Sequence, residues 1–336
     1  MSKFTNIVIS VIFCFTLAFN PFIVTASNNS ASMETNNNTS AIATLKEPNI
    51  ASKLNVVASF YPILEFVKKV GGNRVEVSSL IPLGVEPHDF EPTIQQIQNA
   101  ERADMLVYNG AGFEGPWIKR INAKFVVDSS KGLNLTKSSG EEPGSNNERA
   151  NERDDKAKGT FDPHIWLDPV LAKQQVKNIL YGLITIDPNN AQYYSENART
   201  FMSELDSLDA AIRSELSGCK KKEFISFHNA FSYLAHRYNL TQLSIHETVS
   251  PAGEILPQQI QKLIEISRSK GIDTIYSEDL LDPRLANVIA QEIPNGKVLI
   301  LSPLEGLDQQ EQKAGIGYVQ KMNENIQNLK VALKCK

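Results

Sequence analysis

The sequence predicts an α/β protein in which two parallel-sheet lobes are joined by one long rigid helix. Short β-branched runs alternate with longer helical patterns, which is typical of parallel sheets with helices on both faces. The predicted strands form two sets of four, and a long helical region separates the sets. A chain of 336 residues is long enough for two such domains.

The first set of strands predicts an N-terminal lobe at residues 53–187. Its strands are expected at 54–59, 75–80, 105–109 and 125–128, with helices at 62–70 and 94–102. Residues 137–160 are dense in charged and small polar residues and almost free of apolar ones. We therefore expect a mobile surface loop there.

A long helix is predicted to link the lobes at residues 188–217. It follows a first helix, Pro169 to Ile186, that begins after an Asp168 cap and ends where Asp187 and Pro188 break the pattern. Apolar residues three and four positions apart give the second helix one buried face: Tyr194, Ala198, Phe201, Leu205, Leu208 and Ile212. A helix of about 30 residues is about 45 Å long, enough to run along both lobes.

The second set of strands predicts a C-terminal lobe at residues 218–336. Its strands are expected at 223–227, 242–246, 273–277 and 297–301, with helices at 258–270 and 283–292.

The N-terminus predicts an exported protein. Lys3 precedes an apolar run from Ile7 to Phe19, and a small-residue stretch ends at Ala26, so residues 1–26 are interpreted as a secretory signal. The polar residues 27–52 predict a flexible tether. We expect a periplasmic or cell-surface location, with an uncleaved N-terminal membrane anchor as the alternative.

Two cysteines, Cys219 and Cys335, remain after removal of the signal. An even pair in an exported chain favours a disulfide.

The charge of the chain argues against nucleic acid as a partner. The net charge is −4 and no basic tract stands out, whereas phosphate binding needs clustered Lys and Arg.

Metal binding is predicted from the positions of three histidines and one glutamate. His88, His164 and His228 lie in loops at or near the carboxyl ends of strands, and Glu305 follows the last strand. Open parallel sheets bind ligands at this edge, so one ion held by two residues from each lobe would sit in the cleft. Three imidazoles and a carboxylate suit Zn²⁺, with Mn²⁺ as the alternative; magnesium and calcium prefer oxygen ligands.

Other residues remain alternatives at this stage. His246 ends a strand and is a substitute ligand, whereas His236 lies within a helix and is expected to be structural. Glu278 and Asp279 also follow a strand and compete with Glu305 as the carboxylate ligand. Four further carboxylates are candidates to accept the second ring proton of a histidine: Asp89, Glu91, Asp162 and Asp168.

Five segments resemble the metal-specific solute-binding proteins of zinc and manganese ABC importers. The likeness runs from about Asn55 to the C-terminus. The segments are Ala58-Ser59-Phe60-Tyr61-Pro62, the Gly-x-Glu-Pro-His-Asp-x-Glu-Pro-Thr stretch at 84–93, Asp162-Pro163-His164-Ile165-Trp166-Leu167-Asp168-Pro169, His228-Asn229-Ala230-Phe231-Ser232-Tyr233-Leu234 and Ser302-Pro303-Leu304-Glu305-Gly306-Leu307.

The resemblance implies the metal-specific periplasmic-binding-protein-like fold, a monomer, and an ABC permease as partner. It implies that His88, His164 and His228 are ligands. At the fourth position the family uses an aspartate, a glutamate or water, and Glu305 matches the glutamate version. Relatives thought to carry manganese tend to have a glutamate at the His228 position, so the resemblance favours zinc. Many zinc carriers have a histidine-rich loop where this chain has the histidine-free segment 137–160.

Three other functions are weighed against zinc transport. A manganese or iron carrier belongs to the same class, and a surface adhesin would use the tether for display. A zinc hydrolase would need an open metal position and a general base such as Glu278 or Glu91. A fully coordinated ion would argue against such an enzyme.

Overall fold

Two four-stranded parallel sheets form the framework of the described residues, 53–138, 161–246, 248, 250, 251 and 255–336 of this computed structural model. The first sheet has the strand order β2-β1-β3-β4. Its strands are β1 (Leu54–Ala58), β2 (Val75–Ser79), β3 (Met105–Tyr108) and β4 (Val126–Asp128).

The second sheet repeats this arrangement, with the strand order β6-β5-β7-β8. Its strands are β5 (Glu223–Ser226), β6 (Thr241–Ser244), β7 (Thr274–Ser277) and β8 (Lys297–Ile300). In each sheet the second strand of the chain pairs with one edge of the first strand, and the third strand pairs with its other edge. This reversal of strand order is a topological switch point, which opens a crevice at the carboxyl ends of the strands.

Nine α-helices accompany the sheets in the described part of the chain. The first three are α1 (Tyr61–Gly71), α2 (Ile94–Arg102) and α3 (Pro169–Ile186), and α4 (Ala191–Ser217) follows. The second half has α5 (Ser232–Arg237), α6 (Pro257–Lys270), α7 (Arg284–Gln291), α8 (Gln309–Ala314) and α9 (Tyr318–Leu333). Asp168 caps α3 by accepting from the backbone N–H groups of Val170 and Leu171.

Helix α4 joins the two halves of the described structure. The first half carries β1–β4 and α1–α3, and the second half carries β5–β8 and α5–α9. It contacts α1 and α3 of the first half and α9 of the second. Its 27 residues span about 40 Å. All six predicted apolar positions are buried, together with Leu216. The helix begins at Ala191 because Pro188–Asn190 form a separate 3-10 turn.

The disulfide favoured by the sequence is formed between Cys219 and Cys335. Cys219 follows α4 by two residues and Cys335 follows α9 by two residues. The bond therefore ties the ends of two helices that also pack against each other.

The predicted fold class is confirmed, and each predicted strand matches an observed one to within two residues. Helices α8 and α9 are not among the predicted elements. The predicted signal, the predicted tether up to residue 52, and residues 139–160 of the charged loop lie outside the described residues. Within the described ranges, no helix combines the length and the apolar character needed to cross a membrane.

Candidate metal centre

Four side chains from distant parts of the sequence converge on one point. The donor atoms of His88, His164, His228 and Glu305 all lie within 4.8 Å of one another. His88 lies between β2 and α2, and His164 lies between β4 and α3. His228 follows β5 by two residues, and Glu305 follows β8 by five. Each half of the molecule supplies two residues, as the sequence predicts.

Five of the six distances between the donor atoms lie close to the edge length of a zinc tetrahedron. Oε1 of Glu305 lies 3.1 Å from Nε2 of His88, 3.2 Å from that of His164 and 3.5 Å from that of His228. Nε2 of His164 lies 3.4 Å from that of His88 and 3.3 Å from that of His228. Zinc bonds of 2.0–2.1 Å give a tetrahedron with edges of about 3.3–3.4 Å. Along these five edges, a zinc ion at the centre needs little movement of its ligands.

The cluster is largely shielded from water. His164 and His228 are fully buried, and Glu305 is 5% exposed. His88 is the most accessible member, although only 7% of its side chain is exposed. Imidazoles and a carboxylate held together in such surroundings are costly without a compensating charge. A bound divalent cation would supply that charge.

Two carboxylates fix the orientation of the buried rings. Oδ1 of Asp162 lies 2.8 Å from Nδ1 of His164 and accepts from its backbone N at 3.0 Å. Oε1 of Glu278 lies 2.7 Å from Nδ1 of His228 and accepts from its backbone N at 3.1 Å. Since a carboxylate accepts the Nδ1 proton, Nε2 of each neutral ring presents a lone pair to the centre, as a metal ligand requires.

The negative charge of Glu305 favours a cation at the centre of the cluster. Burial lowers the pKa of His88, because the charged ring loses solvation. Burial acts the same way on His228, but Glu278 and Glu305 outweigh it and raise the pKa well above its usual value. Burial acts to raise the pKa of Glu305, but His88 and His228 hold it well below its usual range. Glu305 is therefore a carboxylate at neutral pH and suits a metal ion.

Two loops from opposite halves touch beside the cluster. Leu307 donates its backbone N–H to the carbonyl oxygen of Leu83 at 2.8 Å. A Cβ on Gly306 would lie 2.2 Å from that oxygen, so only glycine allows this approach. The indole of Trp166 also donates to the carbonyl oxygen of Pro303 at 2.7 Å. The loop of Glu305 is thus bonded to the segments that carry the two histidines of the first half.

The other candidate residues lie outside the four-atom cluster. His246 packs its ring against Phe227, and His236 is exposed on α5. Asp279 pairs with Lys321 at 3.0 Å. Glu91 and Asp89 are exposed. Of the four carboxylates expected to support a histidine, Asp162 is the one that contacts a ring nitrogen in the described structure.

Sequence reasoning missed two supporting carboxylates. The sequence offers Glu278 as a rival ligand, but in the structure it contacts Nδ1 of His228, the ring nitrogen that faces away from the cluster. Glu86 accepts from the backbone N–H of His88 at 3.1 Å, and burial together with the Glu305 charge raises its pKa to about 7. An acid–Pro–His pattern was the available signal. It occurs at Glu86-Pro87-His88 and again at Asp162-Pro163-His164, with the acid bonding the histidine backbone in both.

Comparison with known proteins gives one consistent family. A family model described as "Zinc-uptake complex component A periplasmic" matches residues 56–332. The high-affinity zinc uptake system protein ZnuA of Bacillus subtilis (strain 168) is 37% identical over 290 residues, which cover 84% of this chain and 89% of that protein.

Solved structures of similar proteins agree with this family. Zn(II)-bound AdcA from Streptococcus pneumoniae has a TM-score of 0.71 and 32% identity; the match covers 85% of this chain and 59% of that chain. The laminin-binding protein of Streptococcus agalactiae, described as having adhesin and metal transporting activity, has a TM-score of 0.73 and 30% identity. The match covers 84% of this chain and 100% of that chain.

Proposed function

Because the chain belongs to the family of periplasmic zinc-uptake component A proteins, we propose that it captures zinc outside the cytoplasm for an ABC transporter. The observation that carries the proposal is the convergence of three Nε2 atoms and one carboxylate oxygen at the spacing of a zinc tetrahedron. A substrate-binding protein of this kind changes no covalent bond in its cargo.

His88, His164, His228 and Glu305 are the ligands in this proposal. Three nitrogen donors and one oxygen donor suit Zn²⁺, whereas Mn²⁺ prefers sites with more oxygen. The first half contributes two histidines and the second half contributes one histidine and the glutamate. The ion would therefore bridge the halves, and its binding would favour the arrangement in which they are close.

The ligand set supports a carrier over the alternatives. A hydrolase would keep one metal position open for water, but four protein donors fill a tetrahedral site. Glu278, its candidate base, is bonded to the outer nitrogen of His228. The adhesin alternative has support from similar proteins described as laminin-binding, but the convergence of four metal donors speaks for a carrier.

The organisation of the full chain completes the proposal. We place a removable signal at 1–26, a tether at 27–52, an N-terminal lobe at 53–187, a linking helix at 188–217 and a C-terminal lobe at 218–336. The mature protein would be a monomer on the outer side of the membrane. A tether of this kind would let it reach a permease in that membrane.

Elemental analysis of the exported protein, purified without chelators, tests the proposal. We expect about one zinc per chain and little manganese. Competition among zinc, manganese and copper then ranks the affinities, with a matched sample stripped by chelator as control. Absence of zinc binding, or preferential recovery of manganese, would contradict the zinc assignment.

A further inference from the structure

Asp162 uses its two carboxylate oxygens on opposite halves of the molecule. Oδ1 accepts from the ring and the backbone of His164 in its own loop. Oδ2 accepts from the hydroxyl of Ser232, the first residue of α5 in the second half. Asp162 is only 2% exposed, so water does not readily replace a lost partner. The carboxylate that orients a ligand of the first half is therefore itself held by the second half.

Further contacts attach α5 to the same loop. The hydroxyl of Tyr233 donates to the carbonyl oxygen of Asp162 at 2.9 Å and accepts from the backbone N–H of Thr136 at 3.0 Å. At the end of α5, Arg237 forms an ion pair with Asp168, which is buried. Helix α5 thus contacts the 162–168 segment from its first to its last residue.

Helix α5 is also connected to the second buried ligand. It begins four residues after His228, and the backbone between them is fixed by Gln242, whose side chain bonds His228 O at 3.0 Å and Phe231 N at 3.1 Å. A shift of α5 relative to the first half would therefore act on both buried histidines. By contrast, Glu278 belongs to the same half as the histidine that it orients.

We propose that Ser232 is a positioning residue for metal capture, through which α5 sets the ring orientation of His164 across the cleft. With Ser232 in place, Asp162 cannot rotate away from Nδ1 without losing its hydrogen bond to the Ser232 hydroxyl. When the halves separate, Oδ2 loses its partner and the ring of His164 loses its fixed carboxylate. Separation would then loosen a ligand of the opposite half, which provides a route for release. This inference rests on the proposed function.

Removal of the Ser232 hydroxyl tests the inference in the full chain. We expect Ser232→Ala to weaken zinc binding about tenfold, the lower end of the effect of an outer-shell partner. Zinc affinity is measured by competition with a chelator, and the visible spectrum of the cobalt-loaded protein reports ligand geometry. Ser232→Thr, which keeps a hydroxyl, is expected to restore both. Ser267→Ala is the matched control, since its buried hydroxyl bonds Leu263 O within α6.

A double-mutant cycle identifies the path. If Ser232 acts through Asp162, Ser232→Ala has no further effect on zinc affinity in an Asp162→Asn background. Additive losses would overturn the inference, as would an unchanged affinity and cobalt spectrum in Ser232→Ala. An equal loss in Ser267→Ala would also overturn it, by revealing general destabilisation. Failure of the wild-type chain to bind zinc would instead contradict the proposed function.

Discussion

Oε1 of Glu278 accepts hydrogen bonds from both the ring Nδ1 and the backbone N–H of His228, at 2.7 and 3.1 Å. Asp162 makes the same pair of bonds to His164. One carboxylate oxygen thus fixes each histidine at two points, which restricts both its loop and its ring. The two halves achieve this with acids from different places: Asp162 is two residues from its histidine, and Glu278 lies on a neighbouring strand end.

The Glu278 contact predicts a loss of zinc affinity on Glu278→Gln. The neutral amide oxygen accepts both bonds more weakly than a carboxylate oxygen does, so the ring of His228 is less well held. We expect affinity to fall about 10–100-fold, as is typical of an outer-shell carboxylate. Chelator competition measures the change, and Glu265→Gln, exposed on α6, serves as control. Equal affinities for the two variants would show that Glu278 has no orienting role.

Alanine substitutions of the proposed ligands predict a ranked loss. His164→Ala and His228→Ala each remove a buried donor, so we expect a larger loss than the roughly 10–100-fold of an outer-shell change. His88→Ala should likewise abolish tight binding, whereas Glu305→Ala should cost less because water can fill the position. Titration calorimetry measures each variant.

Two other histidines provide the controls for this series. His236→Ala changes an exposed ring on α5 and should leave zinc binding intact. His246→Ala tests the alternative ligand and should also be close to neutral. Tight binding in His88→Ala together with its loss in His246→Ala would require the ligand set to be reassigned.

Zinc should stabilise the protein more as pH rises. The pKa of His228 is raised in the folded metal-free protein, so the stability it contributes is complete below about pH 6.5 and is lost as pH rises through the raised value. Zinc needs the neutral ring, so zinc binding has the opposite dependence. The increase in Tm on zinc addition should therefore grow between about pH 6 and about pH 8. Thermal unfolding with and without zinc measures it, and an increment that stays constant or falls would contradict the ligand role.

The Cys219–Cys335 disulfide should contribute to stability without acting on the site. It closes a loop with a sequence separation of 116 residues. In the chain-entropy model a loop of this size gives an upper estimate of about 4–5 kcal/mol in the free energy of unfolding. Urea unfolding of the metal-free Cys219→Ser/Cys335→Ser variant against wild type measures the loss. A similar unfolding midpoint in both proteins would contradict the prediction.

The four converging residues could be predicted because they are read from short motifs beside recognisable strands. His228 directly follows an apolar run, and parallel topology brings such strand ends to one edge. The partner of that histidine could not be assigned in the same way. Glu278 is 50 residues away, and its contact depends on β5 and β7 being neighbours in the sheet. The order of strands in a sheet cannot be predicted from the local periodicity of the sequence.

Helix α9 shows a different limit of sequence reading. Its buried face includes Lys321 and Asn325, which interrupt the apolar pattern. Lys321 is buried because it pairs with Asp279 and Glu311, and Asn325 is buried because it bonds the backbone of Ser302. These partners come from distant segments, so neither burial follows from the helix sequence itself.

All four converging side chains stand on loops beyond the ends of the strands, while the strands and α4 carry the core. Evolution can therefore exchange a donor at one loop position and leave the inherited scaffold untouched. A single replacement of this kind could change which ion a descendant protein prefers, while the sequences of its sheets remain recognisably related.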